Sequence, residues 1–309
     1  MAAQCSGRAK STANSAPKAG IAPSRRLPST RPAAPLMMSP HQQESGRRVD
    51  NLLQVILLGI IEGITEFLPI SSTGHLLIAQ HWLGGRSDLF TVAIQAGAIL
   101  SVTLIYWRRL LAMATNFGDP TNRDYVFKLA VAFFITVIGG LVAKQLGFEL
   151  PDNVYPIAVA LIIGGVIIFV VEAIIEKRPV TTDLNWNVAI WVGIGQVIAA
   201  VFPGTSRSAA ALFAAMLAGL TSRPAAAEFA FLLAIPTMFA ATSYELLELY
   251  LEEGLGTENW TDLGIAFAVS TIVGFIVVKW LLRYIQTHSY RPFGWYRIAL
   301  GVMLIAVVK

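Results

Sequence analysis

GIIEGITEFLPISS (Gly59–Ser72) reappears 134 residues later as GIGQVIAAVFPGTS (Gly193–Ser206), and this pair decides the fold. Gly59 aligns with Gly193, Ile60 with Ile194, Pro69 with Pro203 and Ser72 with Ser206, while Glu62 meets Gln196 and Thr73 meets Arg207. Each copy is an apolar stretch that runs into a proline and then a cluster of hydroxyls. Each is followed by a second apolar stretch, near 70–84 or 205–220. A spanning helix needs ~20 apolar residues, so these second stretches are too short to cross a bilayer. Irregular backbone at membrane depth is tolerated only when buried in protein or lining a wet cavity. The two copies therefore read as re-entrant helical hairpins. With three spans between them the halves insert in opposite orientation, which sets broken helices face to face, N-termini towards an anionic ligand.

The rest of the chain agrees with a membrane setting. Of 309 residues, 55% are hydrophobic and only 14% charged, against roughly 25% charge in a soluble domain. Apolar segments lie near 51–68, 70–84, 89–107, 126–147, 154–175, 186–202, 205–220, 225–250, 262–285 and 293–308. Setting aside the hairpins leaves about six transmembrane helices. The expected fold is an all-α polytopic membrane protein with an inverted repeat, copy one over about 51–150 and copy two over about 186–285.

The net charge of +4 is unevenly placed. Residues 1–48 hold eight Lys/Arg and one acid, Glu44, whereas residues 49–309 hold fifteen Lys/Arg and eighteen Asp/Glu. The basic balance belongs to the N-terminal stretch, so no nucleic-acid partner is implied. That stretch is rich in Ser, Ala, Pro and Arg and cannot bury a core, so disorder is expected. A start at Met37 or Met38 and a transit peptide are alternative readings. Deleting residues 1–36 is expected to leave activity intact. The membrane domain is read as 49–309. Trp107-Arg108-Arg109 and Glu176-Lys177-Arg178 read as cytoplasmic loop ends.

The only cysteine is Cys5, which excludes an intramolecular disulfide and a cysteine-based metal site. His41, His75, His81 and His288 form no His-x-x-x-His pair, which leaves a zinc hydrolase little support. His81 reads as interfacial.

The chemistry concentrates in EGITEFLPISSTGH (Glu62–His75) and PGTSRS (Pro203–Ser208). Ionisable groups within a membrane domain are expensive and mark functional sites. Glu62 and Glu66, spaced i, i+4, share a helix face. A hard divalent cation, Mg²⁺ or Ca²⁺, suits such a pair and shares its oxygens with substrate phosphates. Ser71, Ser72, Thr73 and Gly74 open the next helix, where hydroxyls and backbone N–H groups make an anion site; an ordinary N-cap is the plainer reading. Gly74 would admit a close backbone approach. His75 suits proton transfer or nucleophilic attack. Arg207, with Thr205, Ser206 and Ser208 around it, matches a phosphate bidentately. A salt bridge from Arg207 to Glu62 or Glu66 is compatible with that role.

These two segments, with AAEFAFLLAIP (Ala226–Pro236) and PFGWYRIALG (Pro292–Gly301), resemble the bacterial undecaprenyl-diphosphate phosphatases, also called bacitracin-resistance phosphatases. The resemblance covers about residues 50–309. It implies a multi-pass enzyme of the bacterial inner membrane that hydrolyses undecaprenyl diphosphate to the monophosphate. That reaction recycles the lipid carrier for cell-wall synthesis and confers bacitracin resistance. It further implies a divalent cation and a site open to the outer face. Its motif maps catalytic glutamates onto Glu62 and Glu66, seryl and histidyl groups onto Ser72 and His75, and an arginine onto Arg207. The expected partners are a polyprenyl diphosphate and membrane lipid, with a homodimer left open. A lipid transporter is the rival class, since facing broken helices are also transporter architecture. The Glu–Glu–Ser–His–Arg set is more reactive than binding alone needs.

Overall fold

The hairpin copies are each built from two helices broken at the proline turn. In the computed structural model, which describes residues 40–146, 155–252 and 259–307, helix α1 (Pro40–Thr65) turns through Pro69 into α2 (Ser72–Leu83). Helix α6 (Trp186–Val201) likewise turns through Pro203 into α7 (Arg207–Leu217). Between and after them run α3 (Asp88–Thr115), α4 (Pro120–Gln145), α5 (Tyr155–Ile175), α8 (Arg223–Glu252), α9 (Trp260–Tyr284) and α10 (Arg291–Val307). The expected basic extension, residues 1–48, lies outside the described residues up to Ser39, and its last part opens α1.

Among the described residues, five helices, α3, α4, α5, α8 and α9, are long and apolar enough to cross a membrane. The chain is thus an all-α, polytopic membrane protein. Local sequence sets several boundaries. Ser87 caps α3 by accepting from Phe90 N at 3.2 Å, and Asp119 caps α4 by accepting from Asn122 N at 2.8 Å, with Pro120 in the first turn.

One boundary differs from expectation. Trp107-Arg108-Arg109 is not a loop end but lies inside α3, which continues to Thr115 before the turn residues Asn116 to Asp119 stop it. Arg109 meets Glu228 at 3.5 Å and the Tyr125 ring at 4.9 Å there, while its buried Nε makes no hydrogen bond among the described residues. Glu176-Lys177-Arg178 does follow α5. At that end Arg291 donates to Glu176 at 2.6 Å, Arg178 to the Leu217 carbonyl at 2.9 Å and Arg223 to the fully buried Glu172. Three arginines therefore gather at that end of the bundle.

The packing is crosswise. A Cβ on Gly59 of α1 would meet Ala266 O and Val269 of α9, while a Cβ on Gly193 of α6 would meet Ala132 O and Ile135 of α4. Both partner pairs are themselves 134 residues apart, so the repeat spacing extends from the hairpins to α4 and α9. One step further the knob changes sides. Gly63 of α1 receives Val273 of α9, whereas Val197 of α6 presses into Gly139 of α4. A Cβ at Gly63 would lie 2.8 Å from Ser270 O and 2.9 Å from Val273 Cβ. Overpacking of this kind costs about 1–3 kcal/mol, so Gly63→Val is expected to lower the unfolding temperature in detergent. Unchanged unfolding would mean that α1 does not depend on this face of α9.

Candidate active site

Glu62 and Glu66 sit at the C-terminal end of α1, where Glu66 N still donates to Glu62 O at 3.0 Å. Glu62 is fully buried and Glu66 nearly so, and the turn that follows is anchored by buried Phe67, Leu68 and Ile70. Helices α2 and α7 both start beside Glu66. Ser72 Oγ donates to Glu66 Oε2 at 2.5 Å, and Arg207 Nη2 donates to Glu66 Oε1 at 2.9 Å. Both carboxylate oxygens of Glu66 are thus engaged, one by each helix. Ser208 Oγ, 3.0 Å from Ser206 Oγ, donates to the Leu68 carbonyl at 3.0 Å and closes the contact between the turns.

Arg207 uses one nitrogen on Glu66, and its other N–H groups have no partner among the described residues. Its side chain is 36% exposed, whereas that of Glu66 is 5% exposed. The cleft beside them, lined also by Gln196, Phe231, Thr237 and Met238, holds about 20 Å³. That is room for about one water. Glu62 lies one turn below Glu66, and neither of its carboxylate oxygens has a hydrogen-bond partner among the described residues. A buried carboxylate without a donor is a costly feature that an added cation or proton would satisfy.

The turns are strained in the same way. Ser71 has φ 74° and Ser206 φ 73°, the only non-glycine residues with positive φ among those described. Each caps its helix, Ser71 Oγ lying 3.4 Å from Gly74 N and Ser206 Oγ 3.3 Å from Ala209 N. Such backbone costs about 1–3 kcal/mol per residue and persists only where the surroundings hold it. The shared strain also corrects the register. Ser71, not Ser72, is the conformational counterpart of Ser206, because the first turn is one residue shorter than the alignment on identical letters implies.

The remaining expected residues fall in two places. Gly74 packs on α5, where a Cβ would lie 3.3 Å from Ile157, and its N–H faces the Ser71 cap. Thr73 follows Ser72 in the first turn of α2. Thr205 borders a separate apolar cavity of about 410 Å³ between α5, α6 and α7. His75 Nδ1 is 2.7 Å from the Ser71 carbonyl and its Nε2 is 2.7 Å from the Tyr296 hydroxyl. Both ring nitrogens are therefore committed, Nδ1 to the Ser71 carbonyl and Nε2 to Tyr296 of α10, and the Ser72 hydroxyl bonds to Glu66 rather than to His75.

Two groups were not singled out by sequence. Arg297 of α10 is completely buried, and its five N–H donors meet five backbone carbonyls. Nη1 donates to Pro69 O at 3.2 Å and Thr205 O at 3.0 Å, Nη2 to Gly204 O at 3.0 Å and Ala160 O at 3.1 Å, and Nε to Leu161 O at 3.3 Å. One guanidinium thus ties both turns to α5. Gly164 makes the room, since a Cβ there would lie 2.1 Å from Arg297 Nη2. Tyr296, its neighbour, stacks on His75 with ring centroids 5.6 Å apart and planes 5° apart. The signal was an ionisable residue inside the last apolar segment, the same criterion that exposed Arg207.

A model of the family described as "Bacitracin resistance protein BacA" matches residues 55–303, which contain every group of this site. The chain belongs to the BacA family. A protein of Rhizobium johnstonii named Undecaprenyl-diphosphatase is 58% identical over 255 residues, 82% of this chain and 96% of its own length. One of the same name from Xanthomonas euvesicatoria is 55% identical over 257 residues, 83% of this chain and 97% of its own. With its five long apolar helices, this BacA protein is a multi-pass protein of the bacterial inner membrane.

Proposed function

We propose that this chain hydrolyses undecaprenyl diphosphate to undecaprenyl phosphate and inorganic phosphate, recycling the lipid carrier for cell-wall synthesis and conferring bacitracin resistance. The observation that carries the reading is the Glu66–Ser72–Arg207 network, set where the N-termini of α2 and α7 meet. Helix N-termini and arginine attract phosphate, and preorganised charge is the main lever on phosphoryl transfer. Names of the BacA relatives support the lipid substrate.

A hydroxyl bonded to a carboxylate that is itself oriented by a third group has the arrangement of an activated nucleophile. In the proposed step Ser72 Oγ attacks the terminal phosphorus and passes its proton to Glu66 Oε2. Undecaprenyl phosphate departs, and water then hydrolyses the phosphoserine. Arg207, freed from Glu66 as the diphosphate enters, forks onto its oxygens, with Ser71, Thr73, Gly74, Thr205, Ser206 and Ser208 shaping the phosphate site around it. His75 serves as an acid–base group. Rapid quench with labelled diphosphate tests this order. Phosphohistidine at His75, or no covalent species at full turnover, would replace Ser72 as the attacking group.

The unpartnered Glu62 carboxylate supports a divalent cation, Mg²⁺ or Ca²⁺, held by Glu62 and Glu66. No group of three His, Cys, Asp or Glu side chains with metal-site geometry occurs among the described residues, so substrate oxygens and water would complete its shell. When bound it would neutralise diphosphate charge. Glu62→Gln should raise the cation concentration for half-maximal activity at least about tenfold, the scale of losing a metal-site group. An unshifted cation titration would remove Glu62 as a ligand.

The topology we propose has six spans, α10 joining the five longer helices, and two re-entrant hairpins in inverted halves. Gathered arginines at one end support a cytoplasmic face there. Arg297 reaches Leu161, fourteen residues before the α5 terminus at Ile175, which is roughly 20 Å along the helix and supports opening of the site to the outer face. Exposed Phe134, Ile138, Ile272 and Ile276 support contact with membrane lipid, and a homodimer would use the same apolar surface. The deciding experiment is phosphate release from undecaprenyl diphosphate by purified protein in detergent, with and without chelator. Binding without release would favour the transporter reading.

A further inference from the structure

We infer that Tyr296 is a positioning residue for His75, fixing the imidazole as its Nδ1–H tautomer and holding the Nε2 lone pair away from phosphorus. The inference rests on the reading of His75 as an acid–base group of the phosphatase.

The Ser71 carbonyl lies 2.7 Å from Nδ1 and can only accept, so Nδ1 carries a proton. In the neutral ring Nε2 is then the acceptor, and the Tyr296 hydroxyl at 2.7 Å donates to it. Should Nε2 become protonated, the same hydroxyl rotates and accepts. Tyr296 therefore stays bonded to His75 in both protonation states, which an ammonium, a donor only, could not do. The near-parallel stacking of the two rings fixes the plane of the imidazole as well.

Three features indicate a role beyond packing. The contact joins residues 221 apart, from α2 and α10, so it is not a by-product of local helix geometry. Tyr296 is 45% exposed, so close packing of the protein interior is not what holds its ring against His75. The carbonyl that sets the tautomer belongs to Ser71, whose strained backbone aims it at the ring. The next residue, Arg297, ties α10 to both turns, so Tyr296 is carried on the element that fixes the site. A direct attack by Nε2 on phosphorus would require Tyr296 to leave first, whereas a proton can reach Nε2 through the Tyr296 hydroxyl, which gives up its own proton as it takes another; this favours proton transfer over covalent catalysis at His75.

The test compares Tyr296→Phe, His75→Ala and the double variant in full-length protein, with undecaprenyl diphosphate as substrate. Phe keeps the stacked ring and removes only the hydroxyl. We expect kcat to fall about tenfold, the worth of one neutral hydrogen bond, with KM within about twofold and an unchanged unfolding temperature. The double variant should be no slower than His75→Ala, because Tyr296 acts through His75. Losses that multiply in the double variant, or no loss in Tyr296→Phe, would overturn the assignment. Nitrogen-15 NMR of histidine-labelled protein reads the tautomer without turnover, His75→Ala identifying the signal. An Nε2–H tautomer in the wild type would overturn it whatever the kinetics. Failure of the functional reading looks different: no phosphate release by the wild type, or full activity in His75→Ala.

Discussion

Replacing Arg207 by Lys is expected to cut turnover at least about 100-fold, the scale of losing one donor aimed at transition-state charge. The charge survives the change but the fork does not. Arg207 spends one nitrogen on Glu66 and keeps the rest of its planar set facing the cleft from a side chain that is 36% exposed. A lysine ammonium can neutralise Glu66 or meet one phosphate oxygen, but it cannot bridge two oxygens in a fixed plane. Because the interaction strengthens as charge spreads over the transferring phosphoryl group, the loss should fall on kcat more than on KM. Steady-state phosphate release by the purified variant checks this. Near-wild-type turnover would reduce Arg207 to a counter-charge for Glu66.

Arg297→Ala should be the most damaging change to folding. It removes five donors at once and leaves the Pro69, Gly204 and Thr205 carbonyls of the two turns without their buried partner. Removing one member of a buried charged network costs about 3–5 kcal/mol, a large part of the stability of a typical domain. The turns carry the strained Ser71 and Ser206, so they have little independent reason to keep their shape. We expect a marked fall in the unfolding temperature in detergent and loss of activity with it. Arg297→Lys should recover part of the stability, since an ammonium still reaches some of the carbonyls. An alanine variant that unfolds and turns over like the wild type would show that the turns hold themselves.

Much of the architecture was legible because hydrophobic length and proline punctuation are local signals. All ten apolar segments correspond to helices, and those after Pro69 and Pro203 are the short α2 and α7. Arg207 and Glu66 were legible because charge in apolar surroundings stands out. What escaped depends on the backbone and on distance. Arg297 bonds to carbonyls as far as 228 residues away, and every residue owns a carbonyl, so no letter marks those that matter. The repeat register slipped because identical letters align Ser72 with Ser206, whereas the positive φ belongs to Ser71. The His75–Tyr296 bond escaped through distance alone, being a contact between the first hairpin and the last helix.

The crosswise packing makes two halves that look alike in space unlike in time. When Gly193 emerges during synthesis, its partner Ala132 on α4 has already been made, so the second hairpin can dock at once. Gly59 must await Ala266, which is 207 residues further along the chain. At a translation rate of about 5–20 residues per second, that delay is roughly 10–40 s. Throughout it the glycine face of α1 is without α9, in a hairpin that carries the buried Glu62 and Glu66. The first hairpin is therefore the part of the nascent protein most dependent on the insertion machinery, and a ribosome that stalls before α9 leaves it stranded.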